Sequence, residues 1–127
     1  MTTLALRDPS LLKSQCLIDG HWLNATGGGQ IEVRNPATGA LITTIPDMGR
    51  TETETAIAAA DAALPAWKSR TAEDRGRVLR RWFDLMLQHQ DDLALLMTSE
   101  QGKPLAEAQG EIQYAASYIE WFAEEAR

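Results

Sequence analysis

The sequence is poor in the residues that form covalent or metal-held frameworks. It has one cysteine, Cys16, so no internal disulfide can form, and this favours the cytoplasm. Its two histidines, His21 and His89, do not form a His-x-x-x-His pair, so we expect no metal site. Residues Met1–Ser14 lack the apolar core of a secretory signal, and no run approaches the ~20 apolar residues that a transmembrane helix needs.

Basic charge is also scarce. The 127 residues include 12 Lys and Arg against 18 Asp and Glu, which gives a formal net charge of -6. Residues 1–50 are balanced, and the whole excess lies in residues 51–127, with 8 basic and 14 acidic side chains. Phosphate groups bind to basic surfaces, so this composition argues against nucleic acid and against an anionic membrane as the partner.

The first half of the chain has the pattern of a small antiparallel β unit over residues 16–45. Apolar and β-branched residues alternate with polar ones there, as they do in half-buried strands. Asp19-Gly20 is a dipeptide typical of a two-residue hairpin turn, because both positions can take a positive φ at low cost. The segment Asn35–Gly39 has Pro and Gly at its corners and predicts a second tight turn.

The second half has helical periodicity and capping signals. Thr51 followed by Glu54 is a capping-box pattern for a first helix, which Pro65 interrupts. Thr71 is the N-cap of the next helix, and Gly102 is a natural C-terminal stop for the third. The predicted helices span residues 51–69, 72–88, 91–101 and 104–126. A β unit followed by packed helices predicts an α/β fragment.

The last predicted helix runs from Pro104 to Arg127 without a Gly, Asn or Pro stop signal behind it. Its apolar residues are spaced by alternating threes and fours and predict one continuous apolar stripe: Leu105, Ala108, Ile112, Ala115, Ile119 and Phe122. A helix of this length usually crosses the face of a larger domain. We therefore expect residues 1–127 to be an incomplete part of such a domain.

Several motifs that could carry chemistry have a simpler structural interpretation. Gly27–Gly29 lacks the Gly-x-Gly-x-x-Gly spacing and a following helix, so it predicts a flexible turn. Cys16 opens an apolar strand without a nearby cation, which predicts a partly buried structural thiol. His89, Asp91 and Asp92 lie at a helix junction, where such groups usually face water and cap the next helix.

For two groups of helical residues, one charged and one aromatic, the sequence leaves alternative interpretations open. A solvated, salt-bridged face or a protein–protein contact is predicted for four residues on one helical face: Arg77, Arg80, Arg81 and Asp84. Glu107 and Glu111 are four residues apart and are expected to face solvent. Tyr114 and Tyr118, also four apart, lie beside the apolar stripe and either pack in the core or line a pocket.

Four segments in order resemble the N-terminal part of the aldehyde dehydrogenase superfamily. They are Ile18–Trp22, Asn35–Gly39, Ala62–Trp67 and Glu100–Pro104. The tail Tyr114–Glu125, with the sequence YAASYIEWFAEE, is similar to the bacterial NAD(P)-dependent succinate-semialdehyde dehydrogenase branch. The resemblance covers nearly the whole chain from about Gln15 onward, and each motif is weak when taken alone.

The resemblance implies a longer, homo-oligomeric subunit that oxidises succinate semialdehyde or a related aldehyde with NAD or NADP. This chain would be the leading part of its Rossmann-like cofactor domain. The family's nucleophilic cysteine, general-base glutamate and cofactor-binding residues lie downstream, so no catalytic, cofactor-binding or metal-binding residue is assigned here. Cys16 matches a strand position, not the nucleophile. By the resemblance, Tyr114, and with less support Tyr118, are substrate-channel candidates.

Two functions follow as expectations. In the first, the chain is an inactive scaffold segment that binds no cofactor alone and pairs with the remainder of the dehydrogenase subunit or self-associates through its last helix. In the second, it is a non-catalytic interaction module that binds a full-length dehydrogenase subunit or another protein. In the first case the stripe of Leu105, Ile112, Ile119 and Phe122 is expected to be exposed without its natural partners, and such an apolar patch should drive association. In the second case the chain is expected to bind an intact dehydrogenase tetramer saturably.

Overall fold

The computed structural model describes residues 4–126, in which short antiparallel strands precede four helices, as predicted. After a 3₁₀ turn at Pro9–Leu11, the elements are β1 (Cys16–Ile18), β2 (His21–Leu23), β3 (Gln30–Arg34), β4 (Leu41–Pro46), α1 (Arg50–Ser69), α2 (Ala72–Gln88), α3 (Gln90–Gln101) and α4 (Leu105–Glu125). Observed and predicted helix ends differ by one residue at most, and Arg127 lies outside the described residues. No helix in residues 4–126 combines the length and apolarity needed to cross a membrane.

The strands form two separate hairpins within the described chain, so the predicted β unit is divided. β1 and β2 pair with Cys16 opposite Leu23, and the turn between them has φ values of 50° at Asp19 and 74° at Gly20. Two positive φ angles match the strand twist, which confirms the predicted hairpin. β3 pairs with β4, whose Ile42 is buried and points into the molecule.

The turn between β3 and β4 is built as the sequence predicts. The Asn35 side-chain oxygen accepts hydrogen bonds from the N–H groups of Ala37 and Thr38, and Gly39 has a φ of 69°. The Pro36 ring lies beside Gly102, whose φ of 81° ends α3. A Cβ at Gly102 would lie 2.8 Å from Pro36 Cγ. Glycine is therefore needed at position 102 for two reasons, the positive φ and the space beside Pro36.

Helix α1 begins and continues differently from the prediction. Its N-cap is Gly49, and Glu52 rather than Glu54 reaches back to accept from the Gly49 N–H at 3.0 Å. The predicted capping box is wrong because Glu54 instead pairs with Arg50 at 2.7 Å. The helix also runs through Pro65 to its end, so the predicted interruption is wrong. None of the α1 residues, all of which the structure describes, is buried.

The core lies where α4 packs against α2 and α3. Its buried residues are Ala94, Ala108 and Ile112, and three half-buried side chains pack on them: Met86, Leu93 and Met97. Small residues let the helices approach closely. A Cβ at Gly76 of α2 would lie 3.0 Å from the Ala123 carbonyl oxygen of α4. This close approach fixes the orientation of α4 relative to α2.

The predicted stripe of α4 is correct only in part. The buried residues of this helix are Ala108, Ile112, Ala116 and Ala123. Ala115 of the predicted stripe is exposed. Leu105 and Phe122 are 45% and 59% exposed as expected, whereas the expected exposure of Ile112 is wrong, since it is buried by packing on α3. Ala116 takes the place of Ala115 because residues 108, 112 and 116 form one row of side chains four residues apart.

Candidate functional site

Tyr114 and Tyr118 form a pair on the outside of α4. Their rings make an edge-to-face contact with centroids 5.0 Å apart, and their hydroxyl oxygens share a hydrogen bond of 2.6 Å. The side chains are 64% and 50% exposed, so core packing, one of the two predicted alternatives, is wrong within the described chain. The hydrogen bond, with a smaller contribution from desolvation, raises the pKa of Tyr118 above its ordinary value. A role in a substrate channel stays a prediction.

Two more aromatic residues extend this pair toward the end of α4. Trp121 and Phe122 are 64% and 59% exposed and border the same shallow concavity as the tyrosines. We call Tyr114, Tyr118, Trp121 and Phe122 the aromatic face. Tyr114 and Tyr118 each lie two residues from the buried Ala116, about 200° around the helix. Tyr114 and Tyr118 therefore lie opposite the buried stripe, whereas Phe122 lies at its edge beside Ala123, and α4 has apolar side chains on both sides.

A polar contact joins α4 to α2 next to the Gly76 crossing. Arg80 pairs with Asp84 of its own helix at 3.5 Å and with Glu120 of α4 at 2.9 Å. Arg77 pairs with Asp74, and Arg81 is exposed. The predicted salt-bridged face is confirmed for Arg77, Arg80 and Asp84. Glu120 was not foreseen as a partner because it lies forty residues from Arg80 in the sequence.

The α2–α3 junction binds the N-terminal segment through Asp92. The backbone N–H of Arg7 donates to Asp92 Oδ1 at 2.9 Å, and that of Asp8 donates to Oδ2 at 2.8 Å. These two bonds lower the pKa of Asp92. Asp92 is 5% exposed, so the prediction that it faces water is wrong, whereas Asp91 is exposed and pairs with Arg7 at 3.1 Å. Within residues 4–126, no three His, Cys, Asp or Glu side chains are placed to hold a metal ion.

Glu52 ties the start of α1 to the loop after β2. Its Oε1 accepts from the Thr26 N–H at 2.9 Å, and its Oε2 accepts from the Gly49 N–H. Hydrogen bonding by Thr26, followed by the backbone N–H groups of Glu52 and Gly49, lowers the pKa of Glu52 to about 2. Sequence reasoning missed this residue. The signal was available, since Glu three residues after a Gly-containing turn fits a capping position.

The remaining candidate residues have structural surroundings. Cys16 is half-buried at the start of β1, as predicted, and Gly28 has a φ of 70° in the predicted turn. Glu107 is exposed, and Glu111 is also exposed but pairs with Lys103, which precedes α4. The described residues thus form three separate arrangements: the aromatic face, the Arg80–Glu120 pair and the Asp92 junction. Within the described residues, Glu107, Glu111 and Cys16 do not form one reactive cluster.

Comparison with known proteins shows to which family the chain belongs. The sequence profile of the aldehyde dehydrogenase family matches residues 22–127. The chain belongs to the aldehyde dehydrogenase family. It is 61% identical over 124 residues to a glutarate-semialdehyde dehydrogenase of Pseudomonas putida, and 58% identical over 124 residues to the succinate-semialdehyde dehydrogenase [NADP(+)] of Escherichia coli K12. Each match covers 98% of this chain and 26% of the relative.

Solved aldehyde dehydrogenases have the same fold over this region. A crystal structure from Brucella melitensis biovar abortus 2308 superposes with a TM-score of 0.95 at 57% identity, covering 97% of this chain and 26% of that one. A succinate-semialdehyde dehydrogenase from Burkholderia pseudomallei gives 0.93 at 56% identity, covering 95% and 25%. The chain therefore spans about a quarter of the length of these relatives, and its fold is that of an N-terminal segment of an aldehyde dehydrogenase.

The resemblance expected from the sequence is confirmed, and two of its segments meet in space. Pro36 belongs to the Asn35–Gly39 turn and Gly102 to the Glu100–Pro104 segment, and they are in contact. Among the aldehyde dehydrogenases, the E. coli relative is named for NADP(+), and a betaine aldehyde dehydrogenase from Staphylococcus aureus was solved with NAD+. These cofactors are properties of those proteins.

Proposed function

We propose that this chain is the N-terminal scaffold segment of an aldehyde dehydrogenase that oxidises succinate semialdehyde, or a related aldehyde, to the acid with NAD or NADP. The names of its relatives support this substrate class. The chain contributes the leading part of the cofactor domain, and the remainder of a homo-oligomeric subunit supplies the catalytic residues. Alone, the chain binds no dinucleotide and is inactive. Its single cysteine favours the cytoplasm as the compartment.

The proposal rests on one observation, that α4 has apolar side chains on both its inner and its outer side. A helix that is apolar on opposite sides is normally buried on both. Here the inner side packs on α2 and α3, and the aromatic face is exposed. The accessible surface of the chain is 8693 Å² for 14.0 kDa. A compact monomer of this mass would expose about 6,700 Å². The chain therefore exposes more area than a compact monomer, and the difference is larger than the ~800 Å² that one partner buries in a standard interface.

Helix α1 supports the same conclusion. Ile57, Leu64 and Trp67 are 64%, 54% and 37% exposed, and Leu17 of the first hairpin is 56% exposed. Apolar residues on this many surfaces are unusual for a monomeric protein. We infer that the remainder of the dehydrogenase subunit covers them, and that without it the chain self-associates.

A chimaeric enzyme tests the scaffold role. This chain replaces the matching N-terminal region of the P. putida glutarate-semialdehyde dehydrogenase, and NAD(P)H formation is followed with succinate and glutarate semialdehydes. We expect the chimaera to be active and the isolated chain to be inactive. Cys16→Ser is the matched control and should leave the chimaera active. An inactive chimaera that still has the oligomeric state of the parent enzyme would contradict the proposal, as would turnover by the isolated chain.

The same chimaera tests the substrate-channel prediction. Tyr114→Phe and Tyr118→Phe remove the hydroxyl pair without removing the rings. If these groups line the channel, KM for the semialdehyde should rise while kcat changes little, because the lost contact forms equally in the ground state and the transition state. Trp82→Phe, on the side of α2 that faces away from α4, should leave both constants unchanged. Unchanged KM in the tyrosine variants would remove the prediction.

The exposed faces also support a second candidate, the non-catalytic interaction module. Under this alternative the isolated chain binds an intact dehydrogenase saturably, and the chimaera is inactive. Sedimentation of the chain with the intact P. putida enzyme measures the binding. An active chimaera together with no binding to the intact enzyme would leave only the scaffold role.

A further inference from the structure

Residues 4–12, which precede the first hairpin, form a short segment with its own internal structure. We call residues 4–12 the strap. Its 3₁₀ turn begins after Asp8, whose side-chain oxygen accepts a hydrogen bond from the Ser10 N–H at 3.0 Å. The N–H of Leu11 donates to the carbonyl oxygen of Asp8 at 3.2 Å. Both bonds lie within the strap, so they do not depend on its contact with the helices.

The strap is joined to helix α3 by two neighbouring aspartates. Asp92 is 5% exposed, and its two carboxylate oxygens accept the backbone N–H groups of Arg7 and Asp8 at 2.9 and 2.8 Å. Asp91 is exposed and pairs with the side chain of Arg7, which is itself 81% exposed. Hydrogen bonds to an ionised carboxylate are about twice as strong as neutral ones, whereas exposed ion pairs contribute little. Asp92 therefore supplies most of the polar attachment of the strap.

Apolar burial attaches the strap less firmly. Its four leucines are half-buried rather than buried: Leu4, Leu6, Leu11 and Leu12. The next residues, Lys13 and Ser14, are exposed and belong to no helix or strand, and the Lys13 ammonium lies 4.9 Å from the centre of the Trp22 ring of β2. Segments with few buried apolar side chains open at a lower free energy than the core of the same protein. The strap therefore has a weak apolar attachment and an exposed connection about which it can move.

We propose that the strap opens and closes on the α2–α3 junction as a unit while the helices stay folded, and that Asp92 holds it closed. In the closed state the strap forms one wall of a small cleft, which is lined by Arg7, Asp8, Gln88, His89, Asp91 and Asp92. In the open state both Asp92 oxygens exchange backbone N–H groups for water, and the turn between α2 and α3 is uncovered. The inference concerns this chain alone and does not depend on the proposed aldehyde dehydrogenase function.

Hydrogen exchange of the wild-type chain tests whether the strap opens separately. Deuterium uptake is followed by mass spectrometry for two peptic fragments, one spanning the strap and one spanning α4, at urea concentrations below the unfolding transition. We expect the bonded strap amides to be protected, but at least about tenfold less than those of α4. Their exchange should depend little on urea, because local opening exposes little surface, whereas α4 exchange should accelerate as urea rises. An unprotected strap, or equal protection and equal urea dependence in the two fragments, would overturn the proposal.

Two aspartate variants identify the residue that holds the strap closed. In Asp92→Asn one side-chain oxygen is replaced by an NH₂ group, which cannot accept the second backbone N–H. This variant should accelerate strap exchange about tenfold or more, because charge-assisted bonds are lost, and leave α4 exchange within about twofold. Asp91→Asn, its matched control, leaves both backbone bonds, so strap exchange should change less than about threefold. Equal acceleration by the two variants would show that Asp92 does not hold the strap.

A second pair of variants changes the strap and leaves α3 unaltered. Arg7→Pro removes one of the two donated N–H groups, whereas Arg7→Ala removes the side chain and keeps the N–H. We expect faster strap exchange in Arg7→Pro and a change of less than about threefold in Arg7→Ala. If the two variants exchange alike, the backbone bonds do not hold the strap closed. If Asp92→Asn or Arg7→Pro accelerates α4 exchange as much as strap exchange, the strap and the helices unfold together, and the proposal is overturned.

Discussion

Helices α1 and α4 are almost equal in length, with 20 and 21 residues, and are held in the molecule in different ways. α4 buries a row of small side chains against α2 and α3. α1, all of whose residues are described, buries none and is tied at its first turn by Glu52. Packing against α2 and α3 therefore fixes α4, whereas α1 is held by polar contacts at its first turn and by a small contact with β1. This difference fits a segment whose α1 completes its packing against something else.

The largest expected effect is at the inner side of α4. Ile112 is 7% exposed and lies in the core cluster with Ala94 and Ala108. Ile112→Ala should lower the free energy of unfolding by about 2–4 kcal/mol, because it loses buried surface and leaves a cavity. Urea unfolding measures this. Tyr114→Ala on the other side of the same helix is the control and should cost much less. Equal losses would contradict the assignment of inner and outer sides.

The next effect tests the close approach of α2 and α4. A Cβ at Gly76 would lie 3.0 Å from the backbone oxygen of Ala123, which cannot move without moving its helix. Gly76→Ala should therefore destabilise the chain by about 1 kcal/mol, since overpacking outweighs the gain in helix propensity.

The matched control is Gly110→Ala in α4. An added Cβ there meets no described atom within 4 Å, so helix propensity alone should act. Gly110→Ala is expected to stabilise the chain by about 0.5–1 kcal/mol. If both glycine variants shift the urea midpoint in the same direction, the close approach does not constrain the two helices.

The sequence predicted which segments are helical and where the turns lie, because these depend on local chemistry. Asp19-Gly20, Asn35–Gly39 and Gly102 favour the backbone angles observed here through their own side chains or lack of them. The identity of the buried side of α4 was predicted less well. Ala115 and Ala116 are equally apolar, and when a helix is apolar on two sides, periodicity alone cannot separate them.

The polar contacts of Asp92 and Glu52 were missed for a different reason. Their partners, Arg7 and Thr26, lie 85 and 26 residues away in the sequence. Such long-range pairs are created by the packing of elements, and a single sequence carries no local signal of them. Only the local cap that Glu52 makes with Gly49 had such a signal. The candidate site depended on the same kind of information. Sequence spacing placed Tyr114 and Tyr118 on one side of α4, but only the packing of α2 and α3 identifies that side as exposed.

A smaller effect concerns the polar tie of α1. The pKa of Glu52 is lowered from 4.5 to about 2, so its ionised form is stabilised in the folded chain. This contribution is fully present above the unfolded pKa of 4.5 and is lost as pH falls through about 2. Glu52→Gln should reduce the dependence of unfolding free energy on pH within that window. The control is Glu107→Gln, an exposed glutamate of α4, and an identical effect of the two variants would contradict the tie.

The smallest effect is expected when the Ile→Ala substitution is made in α1 instead of α4. Ile57 of α1 is 64% exposed, so its removal leaves no cavity. Alanine has a higher helix propensity than isoleucine, which offsets the small loss of contact, and Ile57→Ala should change the free energy of unfolding by less than about 0.5 kcal/mol. Urea unfolding beside Ile112→Ala gives a direct comparison, because the same atoms are removed in both. In the chimaeric dehydrogenase the loss of unfolding free energy in Ile57→Ala should be larger. If the remainder of the subunit covers α1, this substitution becomes destabilising there. A negligible effect of Ile57→Ala in both the isolated chain and the chimaera would mean that α1 stays uncovered.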